Sequence, residues 1–138
     1  MSKNVLKIAV TGANGYVGGS IVKYLRKHKN LVYELRHDLK AVPSENVFQL
    51  PYSLEKTINP QLFNGIDVLI HCAYDFRYTK WKKIQNINVQ GSINLFKAAK
   101  NQGVKKYILI STMAAFKGCR SLYGKAKLEI EKEVKTLG

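Results

Sequence analysis

Tyr123 and Lys127 stand four residues apart, as Y-x-x-x-K. On a helix that spacing brings both side chains to one face. An unperturbed phenol titrates near 10, too high for a good base at neutral pH, and a nearby ammonium favours the phenolate. The pair could therefore carry a proton. A hydroxyl pair, Ser111-Thr112, closes an apolar run shortly before it. At the other end of the chain Gly12, Gly15 and Gly18 punctuate Val10-Thr11-Gly12-Ala13-Asn14-Gly15-Tyr16-Val17-Gly18. Gly12 suits a tight turn off a strand, Gly15 leaves room for a pyrophosphate, and Gly18 allows close helix packing. The first amides of the following helix, with its dipole, would point at phosphates. His71 lies inside an apolar run, which favours a core histidine over a general base.

These residues need elements to position them. Residues 5–10 read as a buried parallel strand, and Val17, Ile21 and Leu25 repeat with helical spacing over 16–28. Strand patterns recur at 31–35, 47–50, 67–73 and 107–110. Segment 55–65 is weakly patterned, with Pro60 suited to the first turn of a short helix. Residues 74–81, with Tyr74, Phe76, Tyr78 and Trp81, read as an aromatic loop at the carboxyl edge of the sheet, where ligands sit in such folds. Helical patterns cover 84–100, with Gly103 as a C-terminal cap, and 122–136. Alternating strands and helices with short connections predict a three-layer α/β domain. Its five parallel strands would take the order 3-2-1-4-5.

With 138 residues, 46% of them apolar, the chain suffices for one domain with its own core. No apolar run approaches the roughly 18–20 residues of a membrane span, and Met1-Ser2-Lys3-Asn4 runs at once into strand pattern, so a secretory leader is not expected. Cys72 and Cys119 make no metal spacing and suit free thiols in a reducing cytoplasm. The formal net charge of +14 comes from scattered lysines without an arginine–aromatic stripe. That pattern favours solvated faces over a nucleic-acid site, although a positive field would attract an anionic nucleotide.

T-G-A-N-G-Y-V-G resembles the extended, epimerase/dehydratase branch of the short-chain dehydrogenase/reductase superfamily. Four more segments resemble it in order: Asp67-Val68-Leu69-Ile70-His71-Cys72-Ala73, Asn88-Val89-Gln90-Gly91-Ser92-Ile93-Asn94-Leu95, Ser111-Thr112, and Tyr123 to Lys127. The resemblance covers essentially the whole chain. It implies a Rossmann fold that binds a nicotinamide dinucleotide through Gly12, Asn14, Gly15, Tyr16, Val17, Gly18, Arg36, Ser53, Leu54, Ala73, Tyr123 and Lys127. Arg36 falls where NAD-preferring relatives carry an acid, which implies NADP in preference to NAD, since a guanidinium can grip a 2′-phosphate. Pro51-Tyr52-Ser53-Leu54 stands where relatives carry Gly-Asp-Leu, and Ser53 is the nearest polar substitute for the adenine-seating acid. Small Ala73 would leave room for the cofactor, and Asn88 would hydrogen-bond across the active-site region.

The implied reaction is hydride transfer to or from C4 of the nicotinamide, on a sugar nucleotide or similar hydroxyl/carbonyl compound. Tyr123 would transfer the proton, Lys127 would tune the phenol and hold the nicotinamide ribose, and Thr112 would orient the reacting oxygen. A count back from Gly118 instead lands on Met113, which has no hydroxyl. Met113 and Ala114, where a 4,6-dehydratase would carry acids, disfavour that reaction. The alternative function is a dinucleotide-binding or sensor module without turnover. Family members continue into further strands and a substrate domain, so the 138 residues are expected to be a cofactor-domain fragment or a naturally shortened relative, binding its cofactor but turning over little substrate. The resemblance also implies a homodimer through 84–100 and 122–136, with Ile93, Leu95, Phe96, Leu128 and Ile130 as spare apolar positions.

Overall fold

The computed structural model describes residues 5–39 and 46–137, so Met1-Ser2-Lys3-Asn4 lies outside the described residues. Its sheet is built around two strands whose side chains are covered on both faces. In β1 (Lys7–Thr11) everything after Lys7 is buried, and in β4 (Val68–His71) all four residues are. Continuous burial of this kind marks the interior of a parallel sheet with helices on both sides. β2 (Leu31–Arg36), β3 (Val47–Pro51) and β5 (Lys106–Leu109) complete it. The order is β3-β2-β1-β4-β5 and every pairing is parallel, as expected.

Side chains alternate across each strand and divide the core in two. Ile8 and Val10 point to the face where Val22, Ile21 and Leu25 of α1 (Tyr16–Lys27) pack. Ala9 and Leu69 point to the opposite face. There they meet Leu95, Phe96 and Ala99 of α3 (Gln90–Asn101) and Ala126 and Ile130 of α4 (Leu122–Thr136). The result is the three-layer α/β domain.

Several boundaries differ from the expected ones. β1 starts at Lys7, with Val5 and Leu6 exposed before it. Pro60 opens a single 3-10 turn, Pro60–Phe63, capped by Asn59, whose side chain accepts from the Gln61 N–H. The helix expected at 84–100 starts earlier, as α2 (Trp81–Ile84), and passes through a π-turn, Gln85–Val89, into α3. The wider turn breaks the 3.6-residue period, and such turns recur at functional sites. Here it holds Asn88, 1% exposed.

The spare apolar positions are not spare. Ile93, Leu95, Phe96 and Ile130 are all buried within this one chain, between the helices and the sheet, and only Leu128 keeps partial exposure. The pattern had exceeded one stripe because α3 packs on both the sheet and α4. Among the described residues no helix is long and apolar enough to cross a membrane.

Candidate active site

Gly12 leaves β1 with φ +68, a conformation side chains rarely adopt. A Cβ there would lie 2.8 Å from the Ala73 nitrogen, so the turn rests against the end of β4. Gly18 packs on the same turn, since its Cβ would meet the Gly12 carbonyl oxygen. Gly15 is the N-cap of α1, and no side chain caps this helix. Its opening amides therefore remain available to a ligand. Asn14, Gly15, Tyr16 and Val17 are all exposed, Tyr16 at 92%.

A cleft of about 1010 Å³ runs along the carboxyl edge of the sheet. Gly12, Asn14, Gly15, Arg36, Ser53, Leu54 and Ala73 line it, so seven of the expected cofactor contacts share one cavity. Tyr16, Val17, Gly18, Tyr123 and Lys127 do not line it. Arg36 ends β2, and its guanidinium is engaged by carboxylates, with Glu34 at 3.2 Å and Asp38 at 3.5 Å. The expected grip on a 2′-phosphate assumed a free guanidinium.

His71 is a core residue, fully buried. Thr11 Oγ1 accepts from the N–H groups of Cys72 (3.0 Å) and Ala73 (3.1 Å), so its own hydrogen goes to His71 Nδ1 at 2.6 Å. The ring proton then resides on Nε2, which donates to Ser92 Oγ at 2.7 Å. Burial, with Lys127 adding to it, lowers the imidazole pKa to about 3. This neutral bridge ties β1, β4 and α3 together beneath the cleft.

The loop after β4 is held at both ends. Asn88 Oδ1 accepts from the Asp75 N–H at 2.7 Å, while its Nδ2 donates to the Asp75 carbonyl at 2.9 Å. Asn88 thus ties the π-turn to the loop after β4. Arg77 donates to Asp75 and to Glu55, and the Tyr78 hydroxyl donates to Glu55 at 2.6 Å. The Arg77 hydrogen bond holds the Asp75 carboxyl below its usual range. Glu55 thus joins the loops after β3 and β4 across the cleft. No local spacing in the sequence pointed to it, because its partners lie 22 and 23 residues away.

Ser121 caps α4 by accepting from the Gly124 N–H at 3.0 Å, which sets Tyr123 in the first helical turn. A Cβ on Gly124 would come within 2.3 Å of the Ala114 carbonyl oxygen, so the 112–115 turn lies against that helical turn. A glycine inside a helix, costly by propensity, was the sequence signal for this approach. Rings of Tyr74 and Phe76, both lining the cleft, pack on Tyr123 with centroids at 4.7 and 5.4 Å. Lys127 is 1% exposed and donates to the Ile110 carbonyl at 3.0 Å. Its ammonium lies 5.9 Å from the Tyr123 ring centroid. Burial raises the Tyr123 pKa and lowers that of Lys127. The phenol is thus not shifted down as the neighbouring ammonium led us to expect, because desolvation dominates.

Thr112 Oγ1 accepts from the Ala114 N–H at 3.2 Å and keeps its own hydrogen to donate. No hydrogen bond joins it to Tyr123 among the described residues. Ser111 Oγ is buried without a partner, and Met113 is 98% exposed.

A five-stranded parallel sheet in the order 3-2-1-4-5, flanked by helices, defines a protein of the Rossmann-like α/β class. Residues 8–137 match the NAD dependent epimerase/dehydratase family, and the chain belongs to it. No curated protein matches. Solved structures similar to the chain include MoeE5 in complex with UDP-glucose and NAD, at 22% identity and TM-score 0.81, covering 95% of this chain and 48% of that one. UDP-glucuronic acid 4-epimerase from Bacillus cereus in complex with NAD is 23% identical at TM-score 0.81, covering 96% and 52%. UDP-glucose 4-epimerase from Thermotoga maritima with UDP-glucose is 21% identical at TM-score 0.78, covering 96% and 51%. The chain thus spans about half the length of these structures.

Proposed function

We propose that this chain is the cofactor-binding part of an NAD-dependent oxidoreductase or epimerase acting on a nucleotide sugar or a similar hydroxyl/carbonyl compound. The observation that carries this reading is the placement of Tyr123 and Lys127 on one face of α4, against the Tyr74–Phe76 wall of the cleft.

The residues present fit the dinucleotide. Gly12 and Gly15 line the cleft, and the uncapped amides of α1 would face the dinucleotide's pyrophosphate. Ser53 and Leu54 would border the adenine, and Ala73 leaves space beside the nicotinamide. When bound, the nicotinamide accepts or supplies hydride at C4. Tyr123 takes or returns the proton of the reacting hydroxyl. Thr112 directs its hydroxyl hydrogen at that oxygen, and Lys127 holds the ribose. Since burial keeps the phenol above its ordinary value, hydroxyl oxidation should accelerate as pH rises toward its ionisation.

NAD is proposed over NADP, because Glu34 and Asp38 already occupy Arg36 and would repel a 2′-phosphate. Two free cysteines suit a reducing, cytoplasmic setting. Self-pairing through 84–100 and 122–136 would use the groove of about 270 Å³ lined by Val89, Gln90, Glu129 and Lys132, not the buried leucine and phenylalanine.

The test is cofactor titration followed by reduced-cofactor formation over a panel of nucleotide sugars, on this chain and on any longer form. Tyr123→Phe should leave NAD affinity nearly unchanged and abolish hydride transfer. Affinity without turnover in every form would favour the non-catalytic binding module.

A further inference from the structure

Tyr74 directly follows Ala73 at the end of β4. Its ring meets Tyr123 edge to face, with centroids 4.7 Å apart and planes at 84°. The Lys127 ammonium lies over both rings, 5.6 Å from the centroid of Tyr74 and 5.9 Å from that of Tyr123. Lys127 is almost fully buried, and no carboxylate pairs with it among the described residues. An ammonium stripped of water is costly unless something replaces the hydration. Here the replacement is one carbonyl, that of Ile110, and two ring faces. Ring faces attract a desolvated cation. The other groups facing it act in both directions. Burial lowers its ionisation, whereas Cys72 at the end of β4 and Glu131 one turn along α4 raise it. His71 stands by as a neutral ring.

We propose that Tyr74 is a positioning residue for the Tyr123–Lys127 pair. Its ring face keeps the Lys127 ammonium charged, and its perpendicular packing fixes the plane of the Tyr123 phenol. The inference rests on the reading of those two residues as the reacting pair. The Tyr74 hydroxyl plays no part, so the aromatic face alone matters. A ring contribution of this size should alter the neutral fraction of Lys127 by about threefold to thirtyfold when removed.

The experiment is nuclear magnetic resonance titration of labelled lysine in the 138-residue chain without cofactor, for the unmodified protein, Tyr74→Phe, Tyr74→Leu and a variant with trifluorinated phenylalanine at position 74. Fluorination drains the ring face while keeping its shape, so it separates attraction from packing even if Tyr74→Leu fails to fold. Tyr74→Phe should titrate like the unmodified chain. The fluorinated and leucine variants should show more neutral Lys127 at a given pH. An unchanged titration in the fluorinated variant overturns the proposal. Because the readout needs no turnover, it separates the two ideas. A shifted titration with a fully active Tyr123→Phe would refute the reacting pair alone, and an unmoved titration with an inactive Tyr123→Phe would refute the role of Tyr74 alone.

Discussion

Asn88 grips Asp75 by both backbone groups, accepting from its N–H at 2.7 Å and donating to its carbonyl at 2.9 Å. The amide side chain sits on a π-turn and stands in for a strand partner that the loop after β4 lacks. Asn88→Leu removes both bonds. It should lower stability by about 2 kcal/mol, at about 1 kcal/mol per bond. The freed loop should also weaken NAD affinity, because Ala73 to Arg77 line the cleft. Denaturant titration and cofactor titration check the two effects. An unchanged NAD affinity would show that the loop holds its place without Asn88.

His71 makes the fold sensitive to mild acid. Its imidazole pKa falls from 6.5 to about 3 on folding, through burial and then Lys127. A depressed folded value gives stability that is present above 6.5 and is lost as pH falls toward 3, since the unfolded ring binds a proton that the folded one refuses. Between those limits the unfolding free energy should fall by about 1.4 kcal/mol per pH unit. Urea midpoints at pH 7 and pH 5 measure it, and His71→Gln should flatten the slope in that window.

The proposed preference for NAD rests on the carboxylates around Arg36. The double variant Glu34→Gln, Asp38→Asn releases the guanidinium from both partners. NADP affinity should rise by about tenfold relative to NAD, as for one gained charged hydrogen bond. Calorimetric titration of both cofactors decides. Tighter NADP binding by the unmodified chain would restore the expectation drawn from Arg36 alone.

Gly124→Ala probes the contact between α4 and the 112–115 turn. The new Cβ would run into the Ala114 carbonyl, a backbone group with little room to move. Overpacking should cost about 1–3 kcal/mol and push Thr112 away from Tyr123. Cofactor affinity should change less than turnover, since neither residue lines the cleft. Equal losses in both would mean that the whole site had shifted.

Local pattern was enough for the strand order and the helix at Leu122–Thr136. Period-2 and period-3.6 burial are written into neighbouring residues, and short connections leave few topologies. The glycine turn was legible for the same reason, because its spacing and its backbone demands lie within seven residues. What stayed hidden depends on groups brought together from afar. His71 meets Thr11 across 60 residues and Ser92 across 21, Glu55 meets Arg77 across 22, and no spacing rule encodes such distances. Leu95 and Phe96 looked free for a partner chain until the fold buried both in its own core, Phe96 against His71 and Tyr107 of the sheet. The Tyr123 phenol, set to fall beside an ammonium, rises because desolvation is decided only when the surrounding rings close in.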